Sequence, residues 1–428
     1  MKITSLILAG TSAMTIAAAS SAAMAGAFGI REQSATAQGQ AFAGAASGSG
    51  GLSSMFWNPA TITMSPGFNS QISASLIVLD ADIRPQPGTS PFLGNRPSGD
   101  IGQAAAVPSS YSSYQLNDRV WVGLSSTAPF GLVTKPDYAW AGQVYSRTSR
   151  IVSLNFNPII GIKVTDWLSV AAGPSIEYFD VQLRRANPQV PGLPSATVSG
   201  NDFGVGATAG LTITPAAGTV FGLGYRSSVH HELDGTLDPG AGGVIPVRAK
   251  VNMPDQINVG LTQAITPYFR LNFGYEWANW SRVGTVAYVG PTGPITALPL
   301  RFQDGHHFSV GGEYDLNQRW TVRAGVGYEL TPITDRDRST ALPDADRVWA
   351  SVGASYRWSE KLTFDIAYSH AFLGEAPIRI VPGNAQFVSP VLALVAEAQG
   401  SVDIVSASLR YRWDDPKVAQ PAPIIRKY

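Results

Sequence analysis

From Phe68 to Trp413 the chain repeatedly alternates apolar and polar residues with a period of two. In Phe269–Trp277 (FRLNFGYEW) the Phe, Leu, Phe, Tyr and Trp residues fall on one face and Arg, Asn, Gly and Glu on the other. That is the pattern of a strand with one apolar and one polar side. Arg347–Trp358 (RVWASVGASYRW) and Val405–Trp413 (VSASLRYRW) repeat it. A soluble sandwich would show the same alternation, so period alone does not decide which face is wet.

The connections narrow the choice. Tight turns at Leu116–Asp118, Val164–Asp166, Thr214–Gly218, Ile265–Pro267, Asp315–Gln318 and Trp358–Glu360 alternate with long Pro/Gly/Asp-rich links. The long links are Pro85–Asp100, Pro188–Ser199, Asp234–Ile245, Val289–Pro299, Thr331–Pro343 and Gly374–Gly400. One rim of short turns and one of long loops is the pattern of outer-membrane barrels. The expected fold is all-β: a transmembrane antiparallel β-barrel of about 14 strands, an even number as that class requires. Strands are predicted to begin near Gly67, Gly102, Arg119, Arg147, Asp166, Val198, Thr219, Pro246, Tyr268, Leu300, Gln318, Asp346, Lys361 and Ser401. Backbone groups facing hydrocarbon must all be paired, and only closure of the sheet removes its edges. Trp121, Trp167, Trp320 and Trp413 lie near strand ends, where interfacial aromatic girdles sit.

The N-terminus reads differently. Lys2, an apolar run from Leu6 to Ala19 and a small-x-small site at Ala23-Met24-Ala25 predict a signal peptide over residues 1–25. Residues 26–66 are rich in Gly, Ala and Ser and almost free of charge, a composition that can thread a confined space. The Gly-rich run at Gly48–Gly51 lacks the preceding strand and spaced acid of a nucleotide loop.

Composition agrees with a lipid-facing surface: 14 % of residues are charged, against about 25 % in soluble domains. Lys+Arg and Asp+Glu balance at 30 each, which gives no field to attract nucleic acid. The absence of cysteine excludes disulfides, thiolate zinc sites and a Cys nucleophile.

Several stretches, in order, resemble the FadL-type outer-membrane transporters of long-chain fatty acids and other hydrophobic compounds, whose relatives include aromatic-hydrocarbon channels. They are SATAQGQAFAGAA followed by FWNPATITM, then LGYRSSV (Leu223–Val229), YEWANWSRV (Tyr275–Val283), RWTVRAGVGYELTPI (Arg319–Ile333) and LPDADRVWASVGASYRW (Leu342–Trp358). The resemblance implies a 14-stranded barrel over residues 67–413 with residues 26–66 folded inward as a plug, or hatch. It also implies that Asn58, Pro59 and Ala60 pack against an inward kink in the third strand, beside a lateral opening through which ligand leaves into the bilayer. Phe28 should help to close the ligand pocket. The third strand, RVWVGLSSTAPFGLV, carries Ser125, Ser126, Pro129 and Gly131, and a Pro within a strand marks an edge, bulge or break. The kink is therefore expected near Ser125–Gly131; the alternative is that Pro129 simply ends the strand.

Catalytic and metal chemistry find no support. Histidines 230, 231, 306, 307 and 370 lack metal-site spacing, and no Ser/His/Asp trio is singled out. Alternation directs Glu177, Arg226, His230, Arg270, Glu276, Glu313, Arg323, Glu329, Arg347, Arg357, Asp365, Arg410 and Arg412 toward the lumen, chiefly as mutually paired charges. An Arg there suits a ligand carboxylate, although the family's carboxylate-binding basic residues have no clean counterparts. Two departures stand out. Residues 414–428 continue past the terminal aromatic as an expected periplasmic tail, and Val391–Ala398 (VLALVAEA) reads either as one side of a hydrophobic groove at the cell surface or as a short helix over the barrel mouth. The expected function is passive uptake of hydrophobic compounds, fatty acids first, by a monomer without cofactor, in contact with outer-membrane lipid. An aromatic-hydrocarbon channel, a general porin and a surface adhesin are the alternatives.

Overall fold

The structure, a computed structural model, describes residues 26–190 and 192–415. The predicted signal peptide and residues 416–428 of the predicted tail lie outside the described residues. Within them, fourteen antiparallel strands close into one ring. They are β1 (Phe68–Pro85), β2 (Ala105–Gln115), β3 (Val120–Thr127), β4 (Thr148–Lys163), β5 (Leu168–Ala186), β6 (Ser195–Ala216) and β7 (Thr219–Arg226). The ring continues with β8 (Gln256–Ala264), β9 (Phe269–Ala278), β10 (Gly305–Asp315), β11 (Trp320–Leu330), β12 (Arg347–Arg357), β13 (Leu362–Leu373) and β14 (Leu394–Arg412). Each strand pairs with the next, and β14 closes on β1 from Asn69↔Arg412 to Pro85↔Ala396.

Side-chain exposure settles which face is wet. On β1 the outward Ile72, Leu76 and Val78 are exposed by 59 %, 47 % and 41 %, while the inward Gln71, Ser73 and Ser75 are buried. A water-soluble sandwich would bury the first set; here it is the lipid-facing surface. Trp167, Tyr268, Trp320, Trp358 and Trp413 stand exposed at the short-turn rim as an interfacial girdle. Trp121 does not join them: it is buried and its indole N–H donates to Ser65 O at 3.1 Å. At the seam, Trp413 stacks on Phe68 at 5.6 Å and Asp414 Oδ1 accepts the Phe68 amide at 2.9 Å.

The longest strands exceed the membrane. β14 has 19 residues, about 60 Å at ~3.3 Å per residue, against an apolar band of about 25 Å. The surplus rises on the long-loop side. There His230–Asp238 and Ile245–Asn252 form a rim hairpin beside β6, so the strand predicted from Pro246 belongs to this hairpin. Pro254, which has no amide hydrogen, separates it from β8. Val391–Ala398 is not a helix over most of its length: from Leu394 it is the start of β14, paired with Ala376–Ile380 and with β1.

The inward face changes character along the barrel. Toward the short turns it is polar, with Gln71, Ser73 and Ser75 on β1, Asn155 and Asn157 on β4, and Ser406 and Ser408 on β14. Toward the long loops β1 presents Ile77, Leu79 and Ile83 and β14 presents Val402 and Ile404, while β4 mixes Ile151 with Ser149 and Ser153. Residues 35–64 form four short helical pieces: Ala35–Gln38, Ala45–Ser47, Gly51–Phe56 and Pro59–Met64. Their polar groups bond the barrel wall from several sides: Ser53 N to Gln71 Oε1 (3.2 Å), Ser47 Oγ to Thr262 Oγ1 (2.8 Å) and Asn272 Nδ2 to Gln40 Oε1 (2.7 Å) in the polar half, and Gln38 Nε2 to the backbone Ile404 O (3.1 Å) at its upper edge. Inward glycines make room. A Cβ on Gly224 would lie 1.8 Å from Trp57 O.

Candidate functional site: the break in the third strand

β3 stops at Thr127, and its continuation, Gly131–Thr134, resumes pairing with β4. Thr127 faces Asn155 and Gly131 faces Val152, so Ala128, Pro129 and Phe130 stand opposite only two residues of β4. One extra residue in one strand is a β-bulge, which bends the strand and frees backbone groups. On the other side, the β2–β3 ladder ends at Ser110↔Ser126, leaving Ala105–Ser109 paired with β1 alone. Pro108 in that stretch has no N–H to donate. The wall thus has a gap in its hydrogen bonding between β2 and β3. Pro129 and Gly131 lie at it, whereas Ser125 sits in regular ladder opposite Tyr111 and Asn157.

The freed groups are satisfied from inside by Phe28–Gln33. Ile30 N donates to Pro129 O at 2.7 Å, Gly131 N donates to Phe28 O at 2.9 Å, and Gly29 and Phe130 form a bridge. The Gln33 side chain serves Ala128 both ways: its Nε2 donates to Ala128 O at 2.8 Å and its Oε1 accepts the Ala128 amide at 3.2 Å. Gln33 O accepts Ser109 Oγ (2.7 Å) and Tyr111 OH (2.9 Å) from β2. One residue therefore ties both edges of the gap.

Phe28 is buried in an aromatic cluster, edge-on to Trp280 at 4.7 Å and to Phe130 at 6.2 Å, with Phe302 behind Trp280 at 6.3 Å. The cavity beside it measures about 20 Å³ and is lined by Ile30, Phe56, Glu276 and Trp280 among others; that is room for about one water. Two polar anchors flank the ring. Ala27, at φ 56°, donates its amide to Asp344 Oδ2 at 2.8 Å, an αL position that costs an Ala roughly 1–2 kcal/mol. Arg31 pairs with Glu276 at 2.9 Å and Glu329 at 3.0 Å, and Arg347 joins Glu329 to Asp344. Burial works against the Arg31 charge, but the two carboxylates more than offset it and hold the guanidinium above its ordinary range.

Asn58, Pro59 and Ala60 are placed elsewhere than the sequence led us to expect. Asn58 Nδ2 donates to Ala46 O (2.7 Å) and to Leu211 O of β6 (2.8 Å), while Oδ1 accepts the Ala60 amide (3.0 Å). Asn58 is the N-cap of the turn that Pro59 begins, and its amide is committed to that turn and to β6. The hydrogen bonds of the gap come instead from residues 28–33. Arg31, Gln33, Trp280 and Asp344 were not singled out as site residues, although Arg31 and Glu32 are the only charges between Gly26 and Pro66.

The expected lumen pairing holds for Arg270–Glu313, Arg323–Glu313, Arg347–Glu329 and Arg410–Asp365. It fails by one residue at the rim hairpin: His230 is exposed and His231 faces inward, 3.3 Å from Glu177. Arg357, at the end of β12, is exposed. Arg226 bonds Phe56 O at 3.2 Å and lies over the Phe56 ring.

This gapped, internally lined barrel matches a known family. The family described as "Outer membrane protein transport protein (OMPP1/FadL/TodX)" aligns with residues 16–413. The chain belongs to that family. It is a protein of the bacterial outer membrane, in a family of transport proteins and channels rather than enzymes. Among FadL-type relatives, the chain is 27 % identical to a 47 kDa outer membrane protein of Pasteurella multocida, over 86 % of this chain and 91 % of that one. It is 23 % identical to a long-chain fatty acid transport protein of Escherichia coli, over 88 % and 94 %. The fold is shared with a Pseudomonas aeruginosa FadL homologue (TM-score 0.81, 22 % identity, 91 % and 100 % covered). It is shared as well with the P. putida toluene transporter TodX (TM-score 0.69, 18 % identity, 90 % and 99 % covered).

Proposed function

We propose that this FadL-family protein takes up hydrophobic compounds, long-chain fatty acids first, by passive diffusion, and releases them sideways into the membrane between β2 and β3. The observation that carries the reading is the gap in the wall, plugged from inside by Phe28–Gln33 at the boundary between the apolar and polar halves of the lumen. A hydrophobic solute gains about 25 cal/mol for each Å² it removes from water against walls such as Ile77, Leu79 and Ile404. It finds no such wall below, where residues 34–64 fill a polar lumen. The gap is its exit.

In this reading residues 1–25 are a removed signal peptide, 26–66 the plug, 67–413 a monomeric barrel and 414–428 a periplasmic tail. Phe28 is the gate: the cavity beside it is too small for any hydrocarbon, so passage requires the ring to leave its cluster. Asn58, Pro59 and Ala60 hold the plug to β6, and Phe28–Gln33 alone among the described plug residues reaches the kink at Pro129 and Gly131. The aliphatic outer wall suits an alkyl chain, and relatives along most of the chain are named long-chain fatty acid transport proteins. The Phe28–Phe130–Trp280–Phe302 cluster favours monoaromatic hydrocarbons as the second reading.

The test is uptake by cells lacking their own transporter and complemented with this chain, using a long-chain fatty acid, toluene and a small sugar. Uptake of a hydrophobic compound without the sugar supports the reading; sugar alone would make the protein a general porin, and no uptake with lost adhesion on deletion would make it an adhesin. A Gly29→Cys/Phe130→Cys pair, in a chain with no other cysteine, should form a disulfide across the bridge. Oxidation should stop uptake and reduction restore it; equal rates in both states would remove the lateral exit.

A further inference from the structure

Glu32 is a buried acid that the transport reading leaves unused. It lies in the strap Phe28–Gln33, between Arg31, which is clasped by Glu276 and Glu329, and Gln33, which ties the gap. Glu32 is 2 % exposed, and its carboxylate Oε2 has no hydrogen-bond partner among the described residues. Its backbone carbonyl is pinned by Ser75 Oγ at 2.8 Å. The carboxylate is thus only partly satisfied: its own backbone amide bonds it, and Oε2 is left without a partner.

The charges acting on it come from Arg31 on its own segment, Glu329 of β11 and Arg347 of β12. Glu276 of β9 and Asp344 complete the pairs of those two arginines, and His307 of β10 lies beside them with its Nε2 against Ala41 O at 3.2 Å. Four carboxylates, those of Glu32, Glu276, Glu329 and Asp344, thus lie around these two guanidiniums, with the buried Arg226 of β7 also attracted to Glu276. Both guanidiniums are already engaged by the last three. An ionised Glu32 would add an uncompensated buried charge, which the interior tolerates poorly.

Resting on the lateral-exit reading, we propose that Glu32 carries a proton while the strap is seated and that its ionisation loosens Phe28–Gln33, so that release through the wall gap is controlled by pH. The proton leaves to water as the strap unseats. Burial pushes the Glu32 carboxyl up to about 7 from an ordinary 4.5, with Arg31 opposing it. Unseated and hydrated, the group returns to its ordinary value. The seated state therefore binds the proton more tightly: its advantage is complete below the ordinary value and is lost as pH rises through about 7. Between those limits the seated population falls by at most about tenfold per pH unit, and above about 7 it is constant.

The experiment uses the full chain in lipid vesicles with two uncharged probes, toluene and a long-chain fatty alcohol, so that no ionisation of the probe enters. The initial rate for the transported probe should rise at least about fivefold from pH 5 to pH 7 and then level off. Glu32→Gln should hold the pH 5 rate throughout. A flat profile in the unmodified protein, or an unchanged rise in Glu32→Gln, overturns the proposal. Infrared titration of the unmodified protein supplies a check that needs no variant to assemble: a protonated carboxyl ionising near neutral pH is expected, and its absence overturns the proposal. The cysteine pair separates the two claims. Transport that is blocked by oxidation yet independent of pH refutes only the proton link, whereas transport indifferent to oxidation, or none for either probe, refutes the exit reading and the link with it.

Discussion

The two halves of the lumen are built from the same strands and do opposite things. On β1 three inward residues, Gln71, Ser73 and Ser75, bind or border the N-terminal segment through polar groups, and the next inward residues, Ile77, Leu79 and Ile83, present only hydrocarbon. On β14 the order repeats from Ser408 and Ser406 to Ile404 and Val402. The polar half can be filled because most of the polar side chains that enter it, among them Gln38, Ser47, Ser53 and Asn58, find a partner, and a filled polar lumen stays closed to apolar solutes. On β1 and β14 the loop-side wall offers dispersion and burial without side-chain hydrogen bonds, so what lies against it can change. The break in β3 lies where the two meet. On the proposed route a hydrophobic solute entering from the loop side would meet the wall gap before the polar packing.

The comparison breaks most severely where the filling meets the wall. Gly224→Leu would drive a side chain into Trp57 O, already 1.8 Å from where a Cβ would sit. The clash exceeds the ~1–3 kcal/mol of ordinary overpacking, because a backbone carbonyl cannot step aside. The expected result is no heat-modifiable barrel on gels. Gly242→Ala, where nothing lies within 4 Å, should assemble to a much larger extent despite its positive φ.

A smaller effect is expected at Asn58. Asn58→Ala leaves the Ala46 and Leu211 carbonyls without their donor and removes an N-cap, for a loss of about 2–4 kcal/mol. Because these bonds run to β6 and not to the gap, the barrel should fold with a lower Tm, and the oxidised Gly29→Cys/Phe130→Cys cross-link should form as readily as in the parent. A cross-link that fails to form in Asn58→Ala would show that Asn58 governs the gap after all.

The barrel was legible because its information is local: period-two alternation and turn length are both written within a dozen residues. Errors arose where one residue of register decides the face, as at His230 and His231, or where Pro254 split a stretch that alternates as well as a membrane strand does. The site was legible only in part. Pro129 and Gly131 announce a broken strand by themselves, but the residue that seals the break is Gln33, 95 positions away from Ala128, and such a contact leaves no period in the sequence. Its signal was subtler: Arg31, Glu32 and Gln33 form a polar triplet at the head of an otherwise nearly uncharged leader. The inward glycines at Gly210, Gly222 and Gly224 were visible too, but small residues in a strand read equally well as tolerance or as room for an insert.

The finest test exchanges the character of the two halves by one side chain each. Ser73→Ala removes an Oγ bonded to Ser408 Oγ at 2.7 Å and to Gln71 Nε2 at 3.3 Å, so stability should fall by about 1 kcal/mol while uptake is unchanged, since no solute reaches that level. Leu79→Asn replaces part of the apolar wall by an amide. A passing solute forfeits roughly 1 kcal/mol of apolar burial there, and uptake of a hydrophobic probe should drop about fivefold with the barrel still assembled. The two substitutions thus move different readouts, melting for one and transport for the other. If Ser73→Ala slowed uptake as much as Leu79→Asn, solute would have to descend past the break into the polar half, and the exit would lie below the gap between β2 and β3.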